Sequence, residues 1–418
     1  MKEEVLETLE VRNFLSIKHV KLGFSYFNII TGDMGAGKSL CMKLLKFFED
    51  IIPNLLLRSH SDFRANLDCE IFFGSLVEEF KSTFVLPTDD GYKSPSFTIG
   101  YVFLCGKETF DAVIEYKNKN GITFESLFLR SLLADWESYL HKKSNSGYIT
   151  PDGFEEDKRF FHADILKRFN SHFPIATNLV PASRAALAVS SDYIDPYLKE
   201  FDSLIRFLPQ IDNNKNQETQ RMIDIILKAK IKIKTRNNLY LEFSDGREIP
   251  IAKASSGQQE IVYILMLLSK LGNFSYTYGK SQSVFIEEPE TQLFPLEQKC
   301  TIELIAQVYN FLKESKIPAR IFITTHSPYV LNSINNMLKK GELLKKYESH
   351  IEKINKKISI PSLLADDISA YFINRKGEYE NMLDKDNKYF YADKIDNIAI
   401  DINEMTTKLQ ELNNDLLD

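Results

Sequence analysis

The sequence predicts an α/β fold: a mixed, largely parallel core sheet, a flanking antiparallel sheet and a helical insertion. Three observations lead there. Phe27–Thr31 (FNIIT), Val284–Ile286 and Arg320–Thr325 (RIFITT) are short apolar runs rich in β-branched residues, the kind buried between two layers. Helical patterns follow the first run and separate the other two, as a parallel sheet requires. Phe97–Leu104 and Phe110–Tyr116 read instead as short strands beside the Asn120–Gly121 turn signal, which marks antiparallel pairing.

Taken in order, the first core strand enters GDMGAGKS (Gly32–Ser39), which satisfies G-x-x-x-x-G-K-[ST] at every fixed position. Its glycines let backbone N–H groups turn toward phosphate oxygens where a side chain would obstruct the approach. The expected phosphate cradle is therefore Gly32, Asp33, Met34, Gly35, Ala36, Gly37, Lys38, Ser39 and Leu40. Lys38 should reach the β and γ phosphates and the Ser39 hydroxyl should bind Mg²⁺. An amphipathic helix with Leu44, Leu45, Phe47 and Phe48 follows.

Ser255–Glu260 (SSGQQE) precedes the apolar helix Ile261–Leu271. Ser256 and Gln259 have capping-box spacing, and the same helix start can serve as an anion site. The expected contact residues are Ser255, Ser256, Gly257 and Gln258, offered to a nucleotide held by another molecule. Val284–Ile286 then ends in two acids. Glu287 is placed to hold Mg²⁺ and Glu288 to orient the attacking water. Arg320–Thr325 ends at His326, which a parallel neighbour in the same sheet brings to the γ phosphate.

The motifs GDMGAGKS, SSGQQE, IEEPE and THSP, with the opening LEVRNFLSIKHVKLGF, resemble the ABC-type ATPase heads of the SMC, RecF and OLD group. The resemblance covers the chain to about Asp50 and from about Lys253 to Asn335. It implies a P-loop ABC-type head with ATP and Mg²⁺ sandwiched between two subunits. Glu288 is then the catalytic carboxylate, His326 the switch histidine, Ser39 and Glu287 the metal ligands, and Ser256 the contact across the interface. Two positions depart from the group. Gln258 stands where the commoner signature has a second glycine, and no glutamine lies between Ser39 and Pro209 to act as the Q-loop residue. Among heads of this size, the chain resembles ATPase subunits of bacterial anti-phage systems such as PARIS, Septu and some retrons. VPASR (Val180–Arg184) and SPYVLNSINNML add to that likeness; Arg184 reads as a nucleotide contact or as an ordinary salt-bridge arginine.

The expected division is 1–124 for the N-terminal part of the ATPase core with its flanking sheet, and 125–215 for a helical lid or insertion. Residues 216–390 complete the core, and 391–418 form a heptad helix. The 215 residues between Ser39 and Ser255 are too few for long coiled-coil arms. KAKIKIKTR (Lys228–Arg236) reads as an edge strand with solvated lysines rather than a nucleic-acid groove. Gly377–Glu378 and Asp384–Asp386 are spaced too closely for the acids of a TOPRIM nuclease. Ile395, Ile398, Ile402, Met405, Leu409, Leu412 and Leu416 form an a/d stripe that suits pairing between chains or docking on the chain's own body.

A hydrophobic content of 44% and a net charge of -6 fit a globular protein and give no sign of a general nucleic-acid binder. The start MKEEVLETLE is acidic, and no apolar stretch is long enough to span a bilayer, so the expected location is the cytoplasm without a membrane partner. Four scattered cysteines read as reduced thiols. The function expected is ATP hydrolysis coupled to homo-oligomer assembly, controlling a separate effector nuclease or toxin in phage defence. The alternatives are a RecF-like ATPase that clamps DNA and a nucleotide-stabilised scaffold with little turnover.

Overall fold

The computed structural model describes residues 5–61, 68–84, 96–105, 107–117, 121–145, 151–169, 173–174, 176–182, 213–235, 238–278, 281–384 and 389–390. The chain opens with the hairpin β1 (Val5–Phe14) and β2 (Ile17–Phe24). β3 (Phe27–Gly32) enters α1 (Lys38–Ser61), and α2 (Cys69–Thr83) follows. Next come β4 (Phe97–Cys105), β5 (Glu108–Lys117) and β6 (Gly121–Glu125), then α3 (Leu127–Asn145), α4 (Pro151–Arg168) and β7 (Ala176–Val180). α5 (Asn213–Leu227) leads to β8 (Lys230–Thr235), β9 (Asn238–Glu242) and β10 (Glu248–Pro250). The last third holds α6 (Ser256–Tyr278), β11 (Gln282–Glu287), α7 (Pro295–Glu314), β12 (Ala319–Thr325) and α8 (Pro328–Lys346). It closes with α9 (Ile351–Lys357), β13 (Ile368–Ile373), β14 (Tyr379–Asn381) and the short β15 (Leu383–Asp384) and β16 (Tyr389–Phe390).

The central sheet has the order β14-β13-β3-β12-β11-β7. All its pairings are parallel except that of β14 with β13. Every residue of β3, β11 and β12 is buried, because a parallel sheet is covered on both faces. Period-two alternation sorts their side chains between two cores. Phe27, Ile29, Val284, Ile286, Ile321 and Ile323 pack with α6, α7 and α8. Ile30, Phe285 and Phe322 face α1 and the antiparallel sheet β2-β1-β4-β5-β6, and the Phe285 and Phe322 rings stack at 4.6 Å.

A buried ion cluster fastens these layers. Arg320 on β12 reaches Glu7 of β1 at 2.6 Å and Glu49 of α1 at 2.9 Å, and the Tyr101 hydroxyl donates to Glu7 at 2.7 Å. Taking ionisable groups such as these out of water is tolerated only when they find partners. Burial first, and then the neighbouring Glu7, push the Glu49 carboxyl well above the ordinary range, against the pull of Arg320.

The structure corrects the expected division at 125–215. β7 lies inside that range yet is a strand of the central sheet, paired with β11. Phe128, Leu132 and Trp136 of α3 and Phe161 and Ile165 of α4 share one core with α1, β4 and β5, so these helices are not a separate lid. The expected antiparallel strands are present. β4, β5 and β6 are antiparallel. β8 is an edge strand, and its Lys232 is paired with Glu242 and Glu248. Cys41, Cys69, Cys105 and Cys300 are free thiols. No helix among the described residues is long and apolar enough to cross a membrane. Arg184 and the heptad segment 391–418 lie outside the described residues.

Candidate functional site

β3, β12 and β11 lie side by side and all three run in one direction, so the segments that follow them meet at one edge of the sheet. Those segments are the phosphate loop, His326 and the acids Glu287 and Glu288. The loop begins at Gly32, whose φ is +145°, and a Cβ there would stand 2.0 Å from the Ile373 carbonyl oxygen of β13. Only glycine fits so near a backbone oxygen. Ala36 N–H closes a turn on the Asp33 carbonyl at 3.3 Å, and Cys41 N–H on the Gly37 carbonyl at 2.9 Å starts the helix.

Lys38 is 5% exposed, and its ammonium donates to the Gly32 and Asp33 carbonyls at 3.0 and 2.7 Å. Burial lowers its pKa, while Glu288, Asp33 and Glu290 oppose that shift. Ser39 and Leu40 are half-buried in the first turn of α1, and Met34 is 87% exposed. Asp33 sits in the loop, but its carboxylate accepts the Arg375 N–H at 2.9 Å and its own N–H donates to Ile373. Its side chain is therefore a brace to the strand beside the loop.

Glu287 ends β11, and its Oε2 accepts the Ala182 N–H at 3.2 Å. Its carboxylate and the Ser39 hydroxyl are hard oxygen donors, the type Mg²⁺ takes alongside phosphate and water. Among the described residues no group of three or more His, Cys, Asp or Glu could hold a metal on its own. Glu288 follows with φ +45°, strained for a residue with a side chain and characteristic of functional sites. Its N–H is fixed by the Thr324 carbonyl at 2.9 Å, and its Oε1 lies 3.5 Å from His326 Nε2. The contact with His326 above all holds the Glu288 carboxyl below its usual pKa, so it is ionised near neutrality.

One residue that braces this cluster escaped the sequence reading. Glu290, the third acid of IEEPE, is buried, and its Oε1 accepts both the Thr325 hydroxyl at 2.8 Å and the His326 N–H at 2.7 Å. It thereby fixes the backbone of the histidine. Its signal was present in the motif as a third acid, two residues beyond Glu288. Ser327 then caps α8 by accepting from Tyr329 and Val330 N–H at 3.1 and 3.3 Å.

The SSGQQE segment differs from expectation by one residue. The capping box joins Ser255 to Gln258, not Ser256 to Gln259. The Gln258 N–H donates to Ser255 Oγ, and Gln258 Oε1 accepts the Ser255 N–H, both at 3.3 Å. Gln258 Nε2 also donates to the Leu227 carbonyl at 2.8 Å, which fixes the side chain inside its own subunit rather than at a foreign phosphate. Ser255 and Ser256 remain exposed at the helix start. Gly257 is packed so that a Cβ would meet the Gln292 carbonyl oxygen at 2.6 Å, which joins this helix to the loop after the acids.

Residues 188–331 match a family model described as the AAA ATPase domain. The similarity is to an ATPase. The matched stretch contains SSGQQE, IEEPE and THSP, and it stops short of the phosphate loop at the other end of the chain. No curated protein matches the chain. Among solved structures, the SMC head domain from Thermotoga maritima is 15% identical, with 78% of this chain and 91% of that one covered and a TM-score of 0.34. The Smc head domain from Pyrococcus furiosus, bound to the C-terminal domain of ScpA, is 12% identical over 90% and 96%, with a TM-score of 0.38. The recombination mediator RecF with ATPrS is 14% identical over 90% and 98%, with a TM-score of 0.33.

Proposed function

We propose that the protein is a Mg²⁺-dependent ATP hydrolase whose catalytic centre is completed by a second copy of the chain. The observation that carries the hydrolytic part is the convergence of Lys38, Glu288 and His326 at the ends of three adjacent parallel strands. Lys38 exchanges its loop carbonyls for β and γ phosphate oxygens, and the loop N–H groups hold the rest of the triphosphate. Glu288, ionised and steered by His326, orients a water in line with the γ phosphate. Ser39 and Glu287 would hold Mg²⁺, which would supply positive charge against that developing on the phosphates.

Sharing of the centre is supported by what borders it. Met34 of the phosphate loop, Phe294 and Leu296 beyond the acids, and Tyr329 beyond the histidine are each more than half exposed. Apolar side chains grouped around a polar site favour contact with another protein surface. Ser256, exposed at the start of α6, supplies N–H groups and a hydroxyl to a phosphate presented from outside.

Glu288→Gln should lower turnover by on the order of 10²- to 10⁴-fold while ATP binding persists. Lys38→Ala and Ser256→Arg should each be inactive, and mixing the two chains should restore part of the turnover, because one intact centre forms per pair. Turnover per chain that does not change with dilution, or mixtures that stay silent, would remove the shared centre. The wider role, control of a separate nuclease or toxin in phage defence, rests on the resemblance of the motifs. Failure of the protein to co-purify with products of neighbouring genes in either nucleotide condition would count against it.

A further inference from the structure

We infer that Arg375, on the turn between β13 and β14, is a contact for the α-phosphate and base end of a bound nucleoside di- or triphosphate. This rests on the nucleotide site proposed above and extends it. The sheet order sets the direction. Glu288 and His326 follow β11 and β12 on one side of β3, so the γ phosphate lies on that side. The remainder of the nucleotide extends toward the other neighbour of β3, which is β13.

The turn after β13 is held against both walls of that space. Arg375 N–H donates to Asp33 of the phosphate loop at 2.9 Å. The Gly377 carbonyl accepts the N–H groups of Lys18 and His19, just past the β1–β2 turn, at 3.2 and 3.1 Å. Arg375 and Lys376, between these anchors, are exposed. The nearby cations of the hairpin are already engaged: Arg12, His19 and Lys21 face Glu10, and Lys18 faces Glu378. No described carboxylate pairs with the Arg375 guanidinium. Charge balance points the same way. Asp33, Glu288 and Glu290 act on Lys38, and Glu287 ends the strand beside them, so a polyphosphate entering here needs cations beyond Lys38. An arginine on a braced turn supplies the cation and a planar fork suited to phosphate oxygens or to stacking on a base.

The test titrates the full chain with ATP and with ADP in the presence of Mg²⁺. Arg375→Gln should weaken both nucleotides by the same factor, about tenfold, the loss expected for one charge-assisted contact. Arg375→Lys should recover part of that loss. Lys21→Gln, which removes a cation already held by Glu10, should stay within about twofold of the unchanged protein. Equal affinities for Arg375→Gln and the unchanged chain overturn the proposal. A loss confined to ATP overturns it too, since that places Arg375 at the γ end, as does a lowered melting temperature without nucleotide, which makes the residue a structural one. If the unchanged chain binds neither nucleotide, and Lys38→Ala alters nothing, the site reading itself falls.

Discussion

Glu290 has no place at the reacting atoms, and yet the histidine depends on it. One oxygen takes two hydrogen bonds, from the Thr325 hydroxyl and the His326 N–H, and the other is buried without a hydrogen bond among the described residues. Burial raises its pKa, and the bonds it accepts oppose that shift. Glu290→Ala leaves two buried donors unmatched, at roughly 1–3 kcal/mol each, and frees the segment that carries His326. Turnover should fall by about ten- to a hundredfold with ATP affinity unchanged. Glu290→Gln keeps an oxygen for both donors and should stay close to the unchanged protein. Steady-state kinetics beside a binding titration separate the two effects, and an active Glu290→Ala enzyme would refute the bracing role. The meeting of most candidate residues at one edge of the sheet was legible at this scale. Gly32–Ser39, Glu288 and His326 stand where strand–loop–helix chemistry puts them. Glu290 was visible but unassigned, because sequence does not reveal that a turn folds the third acid of a motif back onto the next strand.

At the scale of elements, the start of α6 shows where pattern reading stops. SSGQQ satisfies the capping spacing twice, as Ser255 with Gln258 and as Ser256 with Gln259, so spacing alone cannot choose. Tertiary contact chooses: Gln258 reaches Leu227 at the end of α5, while Gln259 turns to the Ala252 and Ala254 carbonyls. β7 was missed for a related reason. ATNLV is a short stretch between Pro174 and Pro181, and only its pairing with β11 identifies it as a core strand. Gly257→Ala puts two effects in competition. Alanine in a helix gains about 0.5–1 kcal/mol over glycine, whereas forcing a Cβ to within 2.6 Å of the Gln292 carbonyl costs about 1–3 kcal/mol. The clash should win, lowering the midpoint of denaturant unfolding. An unchanged or raised midpoint would show that the two elements are not in close contact.

For the molecule as a whole, one buried cluster joins three layers. Arg320, Glu7 and Glu49 bring one positive and two potential negative charges into the core, and burial pushes Glu49 toward its neutral form. Its folded pKa is raised above the unfolded value. The stability it contributes is therefore fully present below the ordinary carboxylate range and is lost as pH rises through the folded pKa. Glu49→Gln mimics the neutral form, so its stability relative to the unchanged protein should increase with pH above that range. Arg320→Ala leaves both acids without their cation and should destabilise by about 3–5 kcal/mol. Unfolding midpoints measured across pH for both variants check this. A flat difference between Glu49→Gln and the unchanged chain would mean that Glu49 is already ionised.

The strand order also has a consequence for synthesis. β3 ends at residue 32, but the strands that flank it, β12 and β13, begin at residues 319 and 368. At ribosomal rates of roughly 5–20 residues per second, the later stretches emerge on the order of tens of seconds behind β3. Throughout that interval a strand that is wholly buried in the finished fold has no neighbour on either edge, an arrangement prone to pairing with the wrong chain. The nascent polypeptide must shield FNIIT until its last quarter arrives, and the pocket beside it takes shape only then.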